Sequence, residues 1–86
     1  VQQAFREVSD ALAGRAYFAA EVEAQERATN AQRQIARLAQ IRYREGVANY
    51  LEVLDAERNL FTAEQQLLSL RRQELDNLAA LYAALG

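Results

Sequence analysis

The stretch Glu45-Gly46-Val47-Ala48-Asn49 is the one clear interruption in this chain. Gly46 suits the left-handed backbone conformation that commonly follows the last turn of a helix. Asn49 is a favoured N-cap residue, and Glu52, three positions later, completes a capping-box pattern. Because a stop signal and a start signal lie so close together, the stretch predicts a tight turn between two helices.

On both sides of this turn the chain has the composition of long helices. Its 86 residues include no Pro and only three Gly, and they are rich in Ala, Leu, Glu, Gln and Arg. We predict a single all-α domain over residues 1–86. Its fold is an antiparallel two-helix coiled-coil hairpin, with helices at about 2–45 and about 50–85 and a turn at about 46–49.

The second helix carries a strict heptad pattern, in which apolar pairs recur every seven positions beside a further column of apolar or small residues. The pairs are Val53-Leu54, Leu60-Phe61 and Leu67-Leu68, followed by Leu75 and Leu81-Tyr82, and the further column is Ala56, Ala63 and Leu70. This face is wider than the seam of a two-stranded coiled coil, so it predicts a helix with neighbours on two sides.

The first helix has a different period. Apolar or small residues recur about every 3.67 positions, which is close to the repeat of straight or slightly right-handed helices. This track consists of Phe5, Val8, Leu12, Ala16, Ala20, Ala24, Ala28, Ala31, Ile35 and Leu38. Its middle is all Ala, which predicts that a partner helix approaches closely there. Gly14 also lies inside this helix, at a cost of about 1 kcal/mol relative to Ala.

A polar stripe follows the second helix in steps of three and four. It consists of Glu52, Asp55, Asn59, Thr62, Gln66, Ser69, Gln73 and Asp76. One interpretation is an ordinary solvated helix face. Such faces usually carry pairs of opposite charges, whereas the middle of this stripe is uncharged. The second interpretation is therefore a surface that lines a water-filled passage.

The composition excludes several classes of function. The chain has no Cys and no His, so it lacks thiolate chemistry and the commonest general base and metal ligand. We therefore predict no catalytic site, metal site or cofactor. A net charge of −2 gives no case for nucleic-acid binding. No stretch approaches the roughly 18 apolar residues of a membrane span.

Because two helices enclose little core and the first residue is Val, we expect a segment of a longer protein.

The run from Tyr43 to Ala56, which includes the turn and the sequence YLEVLDA, resembles a signature of the outer-membrane efflux proteins, the TolC/OprM-like family. The segment Phe5-Arg6-Glu7-Val8, with Asp10-Ala11-Leu12, is similar to the upstream part of the same family hairpin. The end of the chain, Leu81-Tyr82-Ala83-Ala84-Leu85-Gly86, resembles the close of the family's second repeat. These motifs follow the family's order and spacing over nearly the whole chain.

The resemblance implies a hairpin from the periplasmic α-barrel of a trimeric outer-membrane channel in a Gram-negative bacterium. The turn would lie at the periplasmic tip, where the family meets a periplasmic adaptor (membrane fusion) protein and, through it, an inner-membrane pump. Exported molecules would pass through the channel passively. The hairpin itself would not span the membrane.

The resemblance also implies roles for particular residues. Leu51 and Asp55 match the lumen gate near the tip, and Glu52 lies beside them. Acidic residues there also complement the positive start of a helix, and the two roles are compatible. Tyr43 matches a position that ties neighbouring hairpins together, or it covers the end of its own hairpin. The adaptor-docking tip would be Gly46, Val47, Ala48 and Asn49.

Two other functions fit the same helices. One is the hairpin of a periplasmic adaptor protein, which lipoyl-like strands would flank. The other is a self-associating coiled-coil scaffold, which needs no membrane strands. The sequence on either side of the hairpin distinguishes these alternatives from a channel.

Overall fold

A computed structural model describes residues 2–86 as two antiparallel helices, α1 (Gln2–Arg44) and α2 (Tyr50–Leu85). The hairpin is a rod of 67 × 14 × 12 Å, and within residues 2–86 there is no strand. The predicted all-α hairpin fold is therefore confirmed.

The turn forms because α1 ends on a glycine-capped last turn. Gly46 has a φ of +76° and donates its N–H to the Tyr43 carbonyl at 3.0 Å. The Val47 N–H reaches back to the Arg42 carbonyl at 2.9 Å, which completes a Schellman motif. The last carbonyls of α1 thus find partners before the chain reverses.

Helix α2 begins with a side-chain cap. Asn49 has extended backbone angles, and its Oδ1 accepts the Glu52 N–H at 3.2 Å. Within residues 2–86 the reciprocal half of the predicted capping box is not formed. The Glu52 carboxylate instead lies 3.2 Å from Nε of Arg42, across the turn. An ion pair between the helices has replaced a local hydrogen bond.

Helix α2 packs on α1 through the predicted heptads. Val53, Ala56, Ala63, Leu67 and Leu81 are buried, and the steps between them are three, seven, four and fourteen residues. The other apolar member of each heptad faces away from α1. Leu54, Phe61, Leu68, Leu75 and Tyr82 are between 49% and 72% exposed. The two-sided face predicted for α2 therefore has only one side covered by α1.

Helix α1 contacts α2 through residues other than the predicted track. Its buried residues are Ala11, Val22, Thr29, Ala36 and Ala39. Most of the track stays exposed, including Phe5 at 77% and Leu38 at 57%. α2 is therefore not the partner that this track predicted. The heptad interface of α1 is hard to recognise because a polar residue, Thr29, stands at its centre.

Thr29 and Gln25 compensate for their polarity with hydrogen bonds to the opposite helix. Thr29 is fully buried, and its hydroxyl donates to the Ala63 carbonyl at 3.3 Å. Nε2 of Gln25 donates to the same carbonyl at 3.2 Å. Because these groups are satisfied, they avoid the penalty of burying an unpaired polar atom.

Gly14 allows a close approach near the open end of the hairpin. Nδ2 of Asn77 donates to the Ala11 carbonyl at 3.0 Å. A Cβ atom at position 14 would lie 2.5 Å from Oδ1 of Asn77. The helical cost of Gly14 therefore accompanies a hydrogen bond between the helices.

Candidate functional site

The two sides of the hairpin differ in chemistry. We call one side the ladder flank, because polar pairs cross it at regular intervals. These pairs are Glu26–Arg71 at 3.0 Å, Arg33–Glu64 at 3.4 Å and Gln40–Glu57 at 3.3 Å. All of these side chains are at the surface, so each pair stabilises the hairpin only weakly.

The opposite side, which we call the groove flank, has open depressions between the helices, and two of them lie in the middle of the rod and nearer the tip. The depression in the middle of the rod is lined by amides, a hydroxyl and alanines, namely Gln25, Ala28, Gln32, Asn59, Thr62, Ala63 and Gln66. None of these side chains is charged. The depression nearer the tip is lined partly by Ile35, Leu38, Arg42, Glu52, Asp55 and Asn59. The groove flank therefore combines an uncharged middle with a charged tip end.

The helical repeat explains how α2 presents three different faces. Successive residues rotate by about 100° around the helix. Leu67 packs on α1, so Gln66 before it turns to the groove flank and Leu68 after it turns to the other side. The same order of polar, core and apolar residues occurs at positions 52–54 and 59–61. The predicted polar stripe and the exposed apolar row thus lie on different sides of one helix.

The predicted gate residues lie in the first turns of α2. Leu51 is 64% exposed, and Asp55 is exposed beside the tip end of the groove. Glu52 is also exposed but pairs with Arg42. Within residues 2–86 Asp55 forms no ion pair. The two acidic residues therefore differ, because Arg42 partly offsets the charge of Glu52 and no basic side chain pairs with Asp55.

The turn is exposed at the end of the rod. Val47 is 66% exposed, Gly46 and Asn49 are also exposed, and Ala48 is half-buried. The ring of Tyr43 lies against the ring of Tyr50, with centroids 5.3 Å apart. Tyr43 therefore covers the end of its own hairpin, and at 45% exposure it still offers surface to a neighbour.

Sequence reasoning missed two partners at the tip. One is Arg42, which pairs with Glu52, and the other is Tyr50, which packs on Tyr43. Both pairs consist of complementary residues placed on either side of the turn. Complementary residues on either side of a predicted turn are the sequence feature that could have indicated these two pairs.

Neither helix within residues 2–86 is long and apolar enough to cross a membrane. Across the same residues, no three acidic side chains lie close enough together to hold a metal ion.

Comparison with known proteins places this geometry in a family. The family model described as "Outer membrane efflux protein" matches residues 1–86. The chain is 48% identical over 86 residues to the toluene efflux pump outer membrane protein TtgF of Pseudomonas putida and covers 18% of that protein. It is 43% identical over 86 residues to the cation efflux system protein CusC of Escherichia coli and covers 19% of it. In both comparisons the whole chain is aligned.

A solved structure shares the fold closely. It belongs to a study of CusC conformational changes during folding and transmembrane channel formation, and the TM-score is 0.92 at 44% identity. The match covers 100% of this chain and 24% of the CusC chain. The chain therefore spans about a fifth of the length of the curated relatives that it matches.

Proposed function

Because the chain belongs to the outer membrane efflux protein family, we propose that it is the periplasmic tip hairpin of a trimeric outer-membrane efflux channel. In this proposal the hairpin forms part of the wall of an α-barrel conduit. Leu51, Glu52 and Asp55 act at a lumen gate. The turn, residues 46–49, docks on a periplasmic adaptor protein that connects the channel to an inner-membrane pump.

The proposal rests mainly on the chemistry of the groove flank. Its middle exposes amides, a hydroxyl and small side chains without charge. Such a surface is wetted by water but offers no fixed charge to hold an ion and no large apolar patch to hold an oily molecule. A conduit wall needs this property because transported molecules must enter and leave without binding tightly.

The exposed apolar rows support the same proposal. Leu54, Phe61 and Leu68 face away from α1 and have no partner within residues 2–86. A wall of helices would cover this row with a neighbouring helix while leaving the groove flank open to water. A scaffold of coiled coils would also cover the row, but it gives no reason for an uncharged polar groove beside it.

The names of the relatives do not point to one substrate. Relatives of comparable identity are named for toluene and for cations. We propose that this hairpin provides a general conduit wall and that substrate choice lies elsewhere in the assembly.

Two adjacent glutamines provide a matched test of the conduit wall. Gln66 lines the groove, whereas Gln65 is exposed and points about 100° away around α2. In the full-length channel, a cationic thiol reagent applied to Gln66→Cys should change single-channel conductance. The same reagent applied to Gln65→Cys should label the protein and leave conductance unchanged. Equal effects at both positions would contradict the assignment of the groove flank to the lumen.

A further inference from the structure

The pairs on the ladder flank follow one strict register. Glu26, Arg33 and Gln40 are seven residues apart on α1, and their partners Arg71, Glu64 and Glu57 are seven residues apart on α2 in the opposite direction. Glu26 and Arg33 have opposite charges on α1, and their partners Arg71 and Glu64 have the reverse order on α2. Charged residues beside the core of a coiled coil are known to select pairing and orientation.

A slip of the helices by one heptad would place like charges opposite each other. A slip in one direction brings Glu64 to the level of Glu26 and Glu57 to the level of Arg33, so one like-charge pair and one opposite-charge pair replace the two native ion pairs. A slip in the other direction brings Arg71 to the level of Arg33. The native pairs are exposed and individually weak, so it is the order of the charges that distinguishes the native register from its neighbours.

Asn77 adds a second determinant near the open end. Its side chain reaches the Ala11 carbonyl beside Gly14, where no Cβ stands in the way. After a slip of one heptad, Asn77 would instead meet Glu7 or Glu21 at the equivalent position, and both carry a Cβ. The Asn77–Gly14 contact therefore also fits only the native register.

We propose that the charge order of the ladder flank and the Asn77–Gly14 contact fix the register of α1 against α2. The turn fixes the register at the tip, and these two features fix it along the rest of the rod. The fixed register therefore holds Leu51 and Asp55 at one axial position relative to α1. In this proposal one helix does not slide along the other.

Distance measurement between two spin labels tests this proposal in the full-length protein. Ala13→Cys and Gln65→Cys place the labels on exposed positions of α1 and α2, and neither residue takes part in a ladder pair or in the Asn77–Gly14 contact. Any cysteine outside the hairpin is replaced by serine. Labelled subunits are assembled with an excess of unlabelled ones, so that only distances within one hairpin are recorded. The channel's activity does not enter the measurement, so its result is independent of the proposed function.

The parent background should give one distance. In the Glu26→Arg/Asn77→Ala variant, the native register places the new arginine opposite Arg71, which has the same charge. The slipped register places it opposite Glu64, with which it can form an ion pair. This variant should show a second distance that is about 10 Å shorter, the axial length of seven helical residues. Adding Arg71→Glu and Glu57→Gln should restore the single parent distance, because the native register then has two ion pairs and the slipped register has one.

Two results would overturn the proposal. One is a single parent distance in the Glu26→Arg/Asn77→Ala variant. The other is a slipped distance, or failure to assemble, that persists after Arg71→Glu and Glu57→Gln are added. Failure to assemble that Arg71→Glu/Glu57→Gln rescues would support the proposal, because only the native register brings positions 26 and 71 together.

Discussion

Gly46 is the residue at which backbone geometry and proposed function meet. Its φ of +76° is a conformation that residues with a Cβ rarely adopt, and no atom crowds the space where a side chain would be. The requirement at this position is therefore conformational rather than steric. A substitution there changes the path of the exposed turn before it changes the packing of the helices.

We expect Gly46→Val to cost about 1–3 kcal/mol of backbone strain. The full-length variant should reach the outer membrane at normal levels but lose efflux, because the turn no longer fits its docking partner. Gly46→Asn is the control and should keep most of the efflux, since Asn adopts a positive φ more readily than Val and so preserves the path of the turn. Drug susceptibility and membrane levels measure both variants. Normal resistance in Gly46→Val would remove the docking role from the turn.

Asp55 differs from Glu52 in its charge environment. Glu52 lies 3.2 Å from Arg42, and Asp55 has no ion-pair partner within residues 2–86. If threefold symmetry brings three Asp55 carboxylates together in the lumen, their mutual repulsion favours bound cations. Asp55 should therefore bind lumenal cations more strongly than Glu52 does.

We expect Asp55→Asn to weaken block by divalent or trivalent cations in single-channel recordings of the full-length protein. Glu52→Gln should have a smaller effect, because Arg42 already offsets the charge of Glu52. Both substitutions remove a similar charge from the start of α2, worth about 0.3–1 kcal/mol, so they are matched in that respect. If neither variant alters block, the acidic residues serve only the helix start and the gate assignment is wrong.

The two helices differ in how much of their packing was readable from the sequence. In α2 the core positions are occupied by Val53, Leu60 and Leu67, so the heptad was evident. In α1 the equivalent positions include Thr29 and Gln25, whose polarity concealed the interface. The bonds that make them acceptable there depend on the opposite helix, which local periodicity does not reveal.

The turn was readable from the sequence for a different reason. Gly46 and Asn49 act on backbone groups within a few residues, so local sequence determines their roles. The pairs Arg42–Glu52 and Tyr43–Tyr50 could not be placed in this way, because they depend on how the two helices face each other after the turn. The sequence thus predicted the backbone roles of Gly46 and Asn49 but not the side-chain pairs beside the turn.

A pair of alanines on α1 distinguishes its inner face from its outer face. Ala39 is 3% exposed in the cluster with Val53 and Ala56, whereas Ala31 belongs to the exposed track. Ala39→Leu should destabilise the hairpin by about 1–3 kcal/mol through overpacking. Ala31→Leu should leave its stability nearly unchanged. Thermal melting of the 86-residue chain, followed by circular dichroism, measures both variants. A larger loss from Ala31→Leu would reverse the assignment of faces.

At the scale of the whole molecule, the hairpin leaves much of its apolar surface uncovered. The exposed row on α2 contains Leu54, Phe61, Leu68, Leu75 and Tyr82, and α1 exposes Ile35 and Leu38 in the groove-flank depression nearer the tip. These surfaces lie on both helices, so one neighbour does not cover them all. A rod only 14 × 12 Å across has no interior in which to place them. The shape therefore requires lateral partners.

The isolated 86-residue chain should accordingly be strongly helical and should self-associate. Each Leu or Phe of the α2 row that becomes buried contributes about 1.5–3 kcal/mol, so a few such residues suffice to hold copies together at micromolar concentration. Phe61→Glu/Leu68→Glu should shift the chain toward monomer, because it places charges in the row. Gln65→Glu adds a charge to an exposed position outside the row and should leave association intact. Sedimentation equilibrium distinguishes these outcomes. A stable helical monomer at all accessible concentrations would show that the exposed row does not drive association, and lateral packing would then have to come from the groove flank or from segments outside this hairpin.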